Sequence, residues 1–336
     1  MWAEAIATNV TRLSAQPALP PASQEVDVPL RRRRWRDASI LLFFIIVGGL
    51  PHTAAGAPND LRELYSRIAA DLKAGKPVIV TVHVALCDNN TINCGTRPHG
   101  DGDQPKKNLY WGGAAGFRAY FNWRRPFRRI HQDNGDGDVV LERVVYRYRV
   151  KRSNARLKRL GIKKAFDIYL VGLAYRGRHI GKANLGFIKH VQDGKLSRRI
   201  KIDDKITIDY GRGAHVIGYA GHNHMMDVTH FSFPPSTRQE AAGFFALSCI
   251  NAPYLSELTI PKSSYGLLLT RTLMYPGAFT IEGIVEGVAK GESMERIRRR
   301  AVGYYAKYQH RPVSVIGKLF VHEASRRFLP YLKKKK

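Results

Sequence analysis

Five short apolar runs, each too brief for a typical helix and too unbroken for a half-exposed strand, limit what this chain can fold into. They are Val78–Leu86, Phe166–Ala174, Ala214–Ala220, Gly243–Ser248 and Gly266–Thr270. Val, Ile, Leu and Phe dominate them, and turn-forming residues bound them. Runs of this kind suit strands covered on both faces, the condition of a parallel sheet held between helices.

The stretches between the runs carry helical periodicity. Asn59 caps a first helix whose stripe is Leu61, Leu64, Tyr65, Ile68 and Leu72, and Gly75 with Pro77 ends it. Ile180–Val191, Thr280–Lys290 and Met294–Gln309 read as helices, and Val315–Leu329 as a last one. The expected fold is an α/β three-layer sandwich, a mostly parallel sheet with flanking helices. A helix over Asn108–Phe121, a long edge strand over Val139–Val150 and a surface hairpin over Ile200–Tyr210 complete the pattern. Asp133-Asn-Gly-Asp-Gly-Asp138 has the acidic spacing of a calcium loop but lacks its sixth-position Gly and twelfth-position Glu, so a hairpin turn is expected there.

With 336 residues, 44% of them hydrophobic, the chain holds enough apolar mass for one large core. Residues 1–57 read as an unstructured N-terminus plus an export signal: Arg31–Arg36 is a charged start, Ile40–Leu50 an apolar stretch and Thr53–Ala57 a cleavage site of small residues. That implies a bacterial protein exported to the periplasm or secreted, with an uncleaved signal anchor as the alternative. Residues 58–330 are then a single α/β domain and 331–336 a basic tail. The formal charge of +28 comes from basic residues spread through every element, which implies non-specific contact with anionic polymers or membrane surfaces and no specific nucleic-acid site. Of three cysteines, Cys87 and Cys94 are spaced for a small disulfide loop, leaving Cys249 as the odd thiol. Cys87 with His83 as its base is the other arrangement open to a nucleophile.

Two of the apolar runs end in residues able to do chemistry. The run from Ala214 leads into Gly221-His222-Asn223, and the run from Gly243 into Ser248-Cys249. Ligands in open α/β sheets sit beyond the carboxyl ends of the strands, so neighbouring strands would bring an imidazole and a thiol to one rim. A histidine in reach supplies the base that a thiol needs. This arrangement resembles the caspase-like cysteine peptidases (caspases, legumains, gingipains and clostripain-like enzymes), in which His-Gly follows one apolar strand and Ala/Ser-Cys the next. Here Asn223 follows the histidine and Ile250 the cysteine. The resemblance implies a caspase-like fold, His222 as general base, Cys249 as nucleophile, a peptide or protein substrate and no cofactor. Asp88, Asn223 and Ser248 are candidate substrate-binding residues at the same rim, and backbone N–H groups near Gly221 and Cys249 are candidates for holding an oxyanion. Cys87-Asp88-Asn89, Asn108-Leu-Tyr-Trp-Gly112 and Leu267–Met274 are similar to a family of exported bacterial proteins without an assigned activity.

A rival chemistry comes from His222, His224 and Asp227, which crowd two imidazoles and a carboxylate into six positions. Such a set can ligate zinc in a metal-dependent hydrolase. A non-catalytic exported binding module is the third reading.

Overall fold

A computed structural model describes residues 60–151, 154–204 and 206–333. The expected export signal and N-terminal extension, the cap Asn59 and the last three lysines of the tail lie outside these residues. From Asp60 onward the chain belongs to one compact unit.

Its centre is an eight-stranded sheet. The strands are β1 (Val78–Ala85), β2 (Phe127–Asp133), β3 (Val140–Val150), β4 (Phe166–Tyr175), β7 (Val216–Ala220), β8 (Ala242–Leu247), β9 (Ser264–Thr270) and β10 (Phe320–Val321). A separate surface hairpin pairs β5 (Arg199–Lys201) with β6 (Thr207–Asp209). Across the sheet the order is β10-β9-β8-β7-β1-β4-β3-β2. The run from β9 to β4 is parallel, while β3, β2 and β10 join antiparallel at the edges. Each of the five apolar runs is one of the parallel strands, as their unbroken hydrophobicity requires.

Alternation along β1 shows how the layers form. Val78, Val80, Val82 and Val84 face one core cluster, whereas Ile79 and Ala85 face the other. The first cluster is covered by α1 (Arg62–Lys73), α2 (Phe117–Trp123), α6 (Ala278–Ala289) and α7 (Met294–Tyr308). The second is covered by α4 (Ile180–Gln192), which sets Ile180, Ala183, Phe187, Ile188 and Val191 against the sheet, with help from the β5–β6 hairpin. Short helices α3 (Ala155–Arg159), α5 (Ala252–Leu255), α8 (Val313–Ile316) and α9 (Leu329–Lys333) fill connections. Gly75 ends α1 at φ 76°, a left-handed position that favours glycine. Arg238, buried, donates to the carbonyls of His190, Val191 and Asp193 and so closes the carboxyl end of α4.

Three expectations need correction. Asn108–Gly116 is a series of turns and only Phe117–Trp123 is helical, because Asn108 spends its side chain on the backbone of Cys87, Asp101 and Tyr110. Val315–Leu329 is not a helix: Phe320 and Val321 pair with Thr270 and Leu269 and extend the sheet. The long strand β3 lies one place inside the edge, which β2 occupies.

The strand order reverses direction at β1. From β1 the chain steps outward to β4 on one side and returns to β7 on the other. Such a reversal opens a crevice at the carboxyl ends of the two strands, where α/β sheets hold their ligands.

Candidate active site at the carboxyl rim of the sheet

At the end of β7, Gly221 has φ 151°, and a Cβ there would stand 3.0 Å from that of Ala85 on β1. The next residue is His222. Its carbonyl accepts from the Tyr219 hydroxyl at 2.7 Å, and that hydroxyl accepts from Nδ2 of Asn184 on α4 at 2.8 Å. The backbone of the histidine is thus tied to the helix layer. Its Nε2 lies 2.8 and 3.0 Å from the two carboxylate oxygens of Asp227. An ionised carboxylate only accepts, so Nε2 carries the proton and Nδ1 is left as the basic nitrogen. Asp227 reaches this position through a one-turn helix, His224–Met226, in which Asn223 Oδ1 accepts from the N–H of Met225.

At the end of the neighbouring strand β8 stands Cys249, the free and partly exposed thiol. Its sulfur lies 3.5 Å from the N–H and 3.6 Å from the carbonyl oxygen of Met274. Burial pushes the thiol above its ordinary pKa, and the Met274 contact pulls weakly the other way. Ile250 follows at φ 45°, a left-handed conformation that strains a β-branched residue, and its N–H is held by the carbonyl of Thr272. Asn251 clamps the turn, donating to the carbonyls of Ala246 and Ser248 and accepting from the N–H of Thr270. Thr270 also donates its hydroxyl to the Ser248 carbonyl. A second clamp crosses between strands: Asn223 Nδ2 donates to the Cys249 carbonyl at 2.8 Å.

The rim therefore brings His222, Asp227, Asn223 and Cys249 together. Among the described residues no hydrogen bond joins the His222 ring to the thiol. Asn223 and Ser248, expected to touch substrate, are buried and hold the rim together instead of lining it. Asp88 also lies at the rim, but its Oδ1 accepts from the N–H of Asn90, and its side chain is wedged between Gly102 and Gly177. It acts as a turn residue. Of the backbone N–H groups near Gly221 and Cys249 that are candidates for holding an oxyanion, that of Gly221 itself donates to the carbonyl of Leu247. Cys87 is joined to Cys94 in a disulfide, which removes it as a nucleophile.

Among the described residues, no group of three or more His, Cys, Asp and Glu is placed to hold a metal ion. His222 and His224 instead flank the same carboxylate of Asp227, with His224 Nδ1 at 3.4 Å. Asp227 as the partner of His222 went unforeseen, although the crowding of His222, His224 and Asp227 in the sequence was its signal. Among the described residues no helix is long and apolar enough to cross a membrane. No protein-family model, curated protein or solved structure matches the chain.

Proposed function

We propose that this protein is an exported cysteine-dependent hydrolase of peptide or related acyl bonds, built on a caspase-like arrangement. The observation that supports this most is the pairing of adjacent parallel strands whose carboxyl ends carry His222 and Cys249, with Asp227 fixing the histidine tautomer. Nucleophile, base and orienting acid are the parts that such chemistry needs. Because burial keeps the thiol protonated at rest, attack is coupled to proton transfer. His222 Nδ1 takes the thiol proton as the sulfur bonds to the carbonyl carbon, and the imidazolium then donates it to the leaving amine. Water, deprotonated by the same nitrogen, releases the acid and restores the thiol. The Asp227 carboxylate stabilises the imidazolium, and the ring closes on the thiol when substrate enters, as catalytic contacts commonly tighten on binding.

The test is hydrolysis of a panel of fluorogenic peptide amides and esters by the purified protein. Cys249→Ala and His222→Ala abolish turnover on this reading. A Cys249→Ala protein with full activity sinks it. One observation favours a second reading, a structural cysteine: the thiol is already in contact with both backbone groups of Met274. On that reading no substrate is turned over and Cys249→Ala changes only stability.

A further inference from the structure

The stretch Asn108-Leu-Tyr-Trp-Gly112 carries more than the turn that Asn108 holds. Its tyrosine is fixed at both ends: the N–H of Tyr110 donates to Asn108 Oδ1 at 3.1 Å, and its carbonyl accepts from the N–H of Phe117 at 2.9 Å. The ring meets that of Tyr275 edge to face, with centroids 6.1 Å apart, and the Tyr275 hydroxyl donates to the Leu109 carbonyl at 3.2 Å. Tyr275 directly follows Met274, whose backbone touches the Cys249 sulfur at 3.5 and 3.6 Å. Tyr110 is thus packed on the segment that holds the thiol.

Only 9% of Tyr110 is exposed. Burial pushes its hydroxyl above the ordinary tyrosine pKa, and the nearby Cys249 and Tyr275 add to the rise. The Tyr219 hydroxyl, which donates to the His222 carbonyl, is raised by burial first and by Tyr110 as well. The Tyr110 hydroxyl therefore lies within electrostatic reach of the ends of both β7 and β8. It keeps its proton at neutral pH, so it can donate a hydrogen bond but cannot serve as a base. Among the described residues it has no hydrogen-bond partner. A hydroxyl so nearly buried and left unpaired costs stability and calls for a reason.

Attack on a carbonyl needs donors for the oxygen that turns negative. Around Cys249 most donors are committed: the N–H of Gly221 to Leu247, that of Ile250 to Thr272 and that of Tyr275 to the Tyr305 hydroxyl. The N–H of Cys249 has no acceptor among the described residues, which leaves one backbone donor where such sites commonly use two. We propose, on the reading of Cys249 as a nucleophile, that the Tyr110 hydroxyl is the second: a catalytic donor to the substrate carbonyl oxygen. As the sulfur bonds to the carbonyl carbon, the π pair moves to the oxygen and the thiol proton passes to His222. The Tyr110 O–H holds the oxyanion without giving up its own proton. When the carbonyl re-forms, the C–N bond breaks and the leaving amine takes the proton from His222.

The experiment compares wild type, Tyr110→Phe and Cys249→Ala on the fluorogenic peptide amides. Binding of a peptide aldehyde, which forms a tetrahedral adduct with the thiol, is measured beside that of the matching peptide alcohol. Tyr110→Phe keeps the ring and its packing on Tyr275, so an unchanged melting temperature is expected. Its kcat is expected to fall roughly 100- to 1,000-fold with KM nearly constant. Aldehyde affinity is expected to fall with kcat while alcohol affinity holds. Equal kcat and equal aldehyde affinity in Tyr110→Phe and wild type overturn the role of Tyr110 and leave the cysteine-hydrolase reading standing. A fall in kcat that comes with a matching loss of stability overturns it too. Full activity in Cys249→Ala, or no turnover by the wild type, overturns both.

Discussion

The side-chain amide of Asn223 donates to the backbone carbonyl of Cys249 across 2.8 Å, joining the end of β7 to the end of β8. Asn223 is fully buried, so each of its polar atoms needs a partner inside the protein. Asn223→Ala leaves the Cys249 carbonyl and the Met225 N–H unpaired and is expected to cost about 1–3 kcal/mol. Urea unfolding measures this. If the rim is catalytic, the variant also loses turnover out of proportion to its stability, read as kcat at a temperature where it remains folded.

Asp227 provides a sharper test of the site, because its side chain is partly exposed and its removal threatens the fold little. Asp227→Asn keeps the shape but can present an N–H to His222 Nε2, which makes Nε2 the acceptor and puts the ring proton on Nδ1, so that Nδ1 is no longer free as the base. Turnover is expected to fall by roughly two to four orders of magnitude, on the scale of lost general-base catalysis. The melting temperature is expected to stay nearly constant. Equal turnover in Asp227→Asn and wild type would remove Asp227 from the mechanism.

The partly buried thiol makes a prediction about alkylation. With its pKa raised by burial, Cys249 is expected to react slowly with iodoacetamide at pH 7, and to speed up only above the ordinary thiol range near pH 8.5. Mass spectrometry of the labelled peptide identifies the residue. Fast labelling at pH 6 would instead indicate a thiolate–imidazolium pair at rest.

Ile250 tests the strain beside that thiol. Ile250→Gly relieves the left-handed backbone at φ 45° and is expected to raise stability by about 1 kcal/mol. A rise in melting temperature with a loss of turnover would mean that the strain serves to hold Cys249 in place.

How much of this could be read in the sequence follows from burial. The five parallel strands announced themselves because both faces are covered, which leaves an apolar signal with no gaps. Strand β2, Phe-Arg-Arg-Ile-His-Gln-Asp, escaped notice because an edge strand is charged and half exposed. Strand β10 has two residues, and only its pairing with Leu269 and Thr270 makes it a strand. At the site, the positions of His222 and Cys249 followed from strand ends. That Asn223 and Ser248 are buried depends on packing between strands distant in sequence, which no local pattern records.

Acid stability gives a test of the interior. His83, His190 and His215 are fully buried, and the hydrogen bonds of His190 and His215 fix their neutral tautomers. Nε2–H of His190 donates to the carbonyl of Gly211, so Nδ1 accepts from His83. His215 Nδ1 accepts from the N–H of Ile79, so its Nε2–H donates to Asp71. Burial lowers His83 well below 6.5, His190 to about 3 and His215 to about 4. Below pH 6.5 the unfolded chain therefore binds protons that the folded chain refuses. This contribution to stability is complete above pH 6.5 and is lost as pH falls, at about 1.4 kcal/mol per pH unit for each histidine. Glu323 acts in the opposite sense. Burial raises its carboxyl to about 7, so between pH 7 and 4.5 the folded state binds the extra proton and offsets about one histidine. Urea midpoints between pH 6.5 and 5, above the ordinary carboxylate range, are expected to fall with acid in the wild type. The fall should be steeper in Glu323→Gln and shallower in His215→Gln. A flat profile in all three proteins would mean that the buried imidazoles accept protons without loss of the fold.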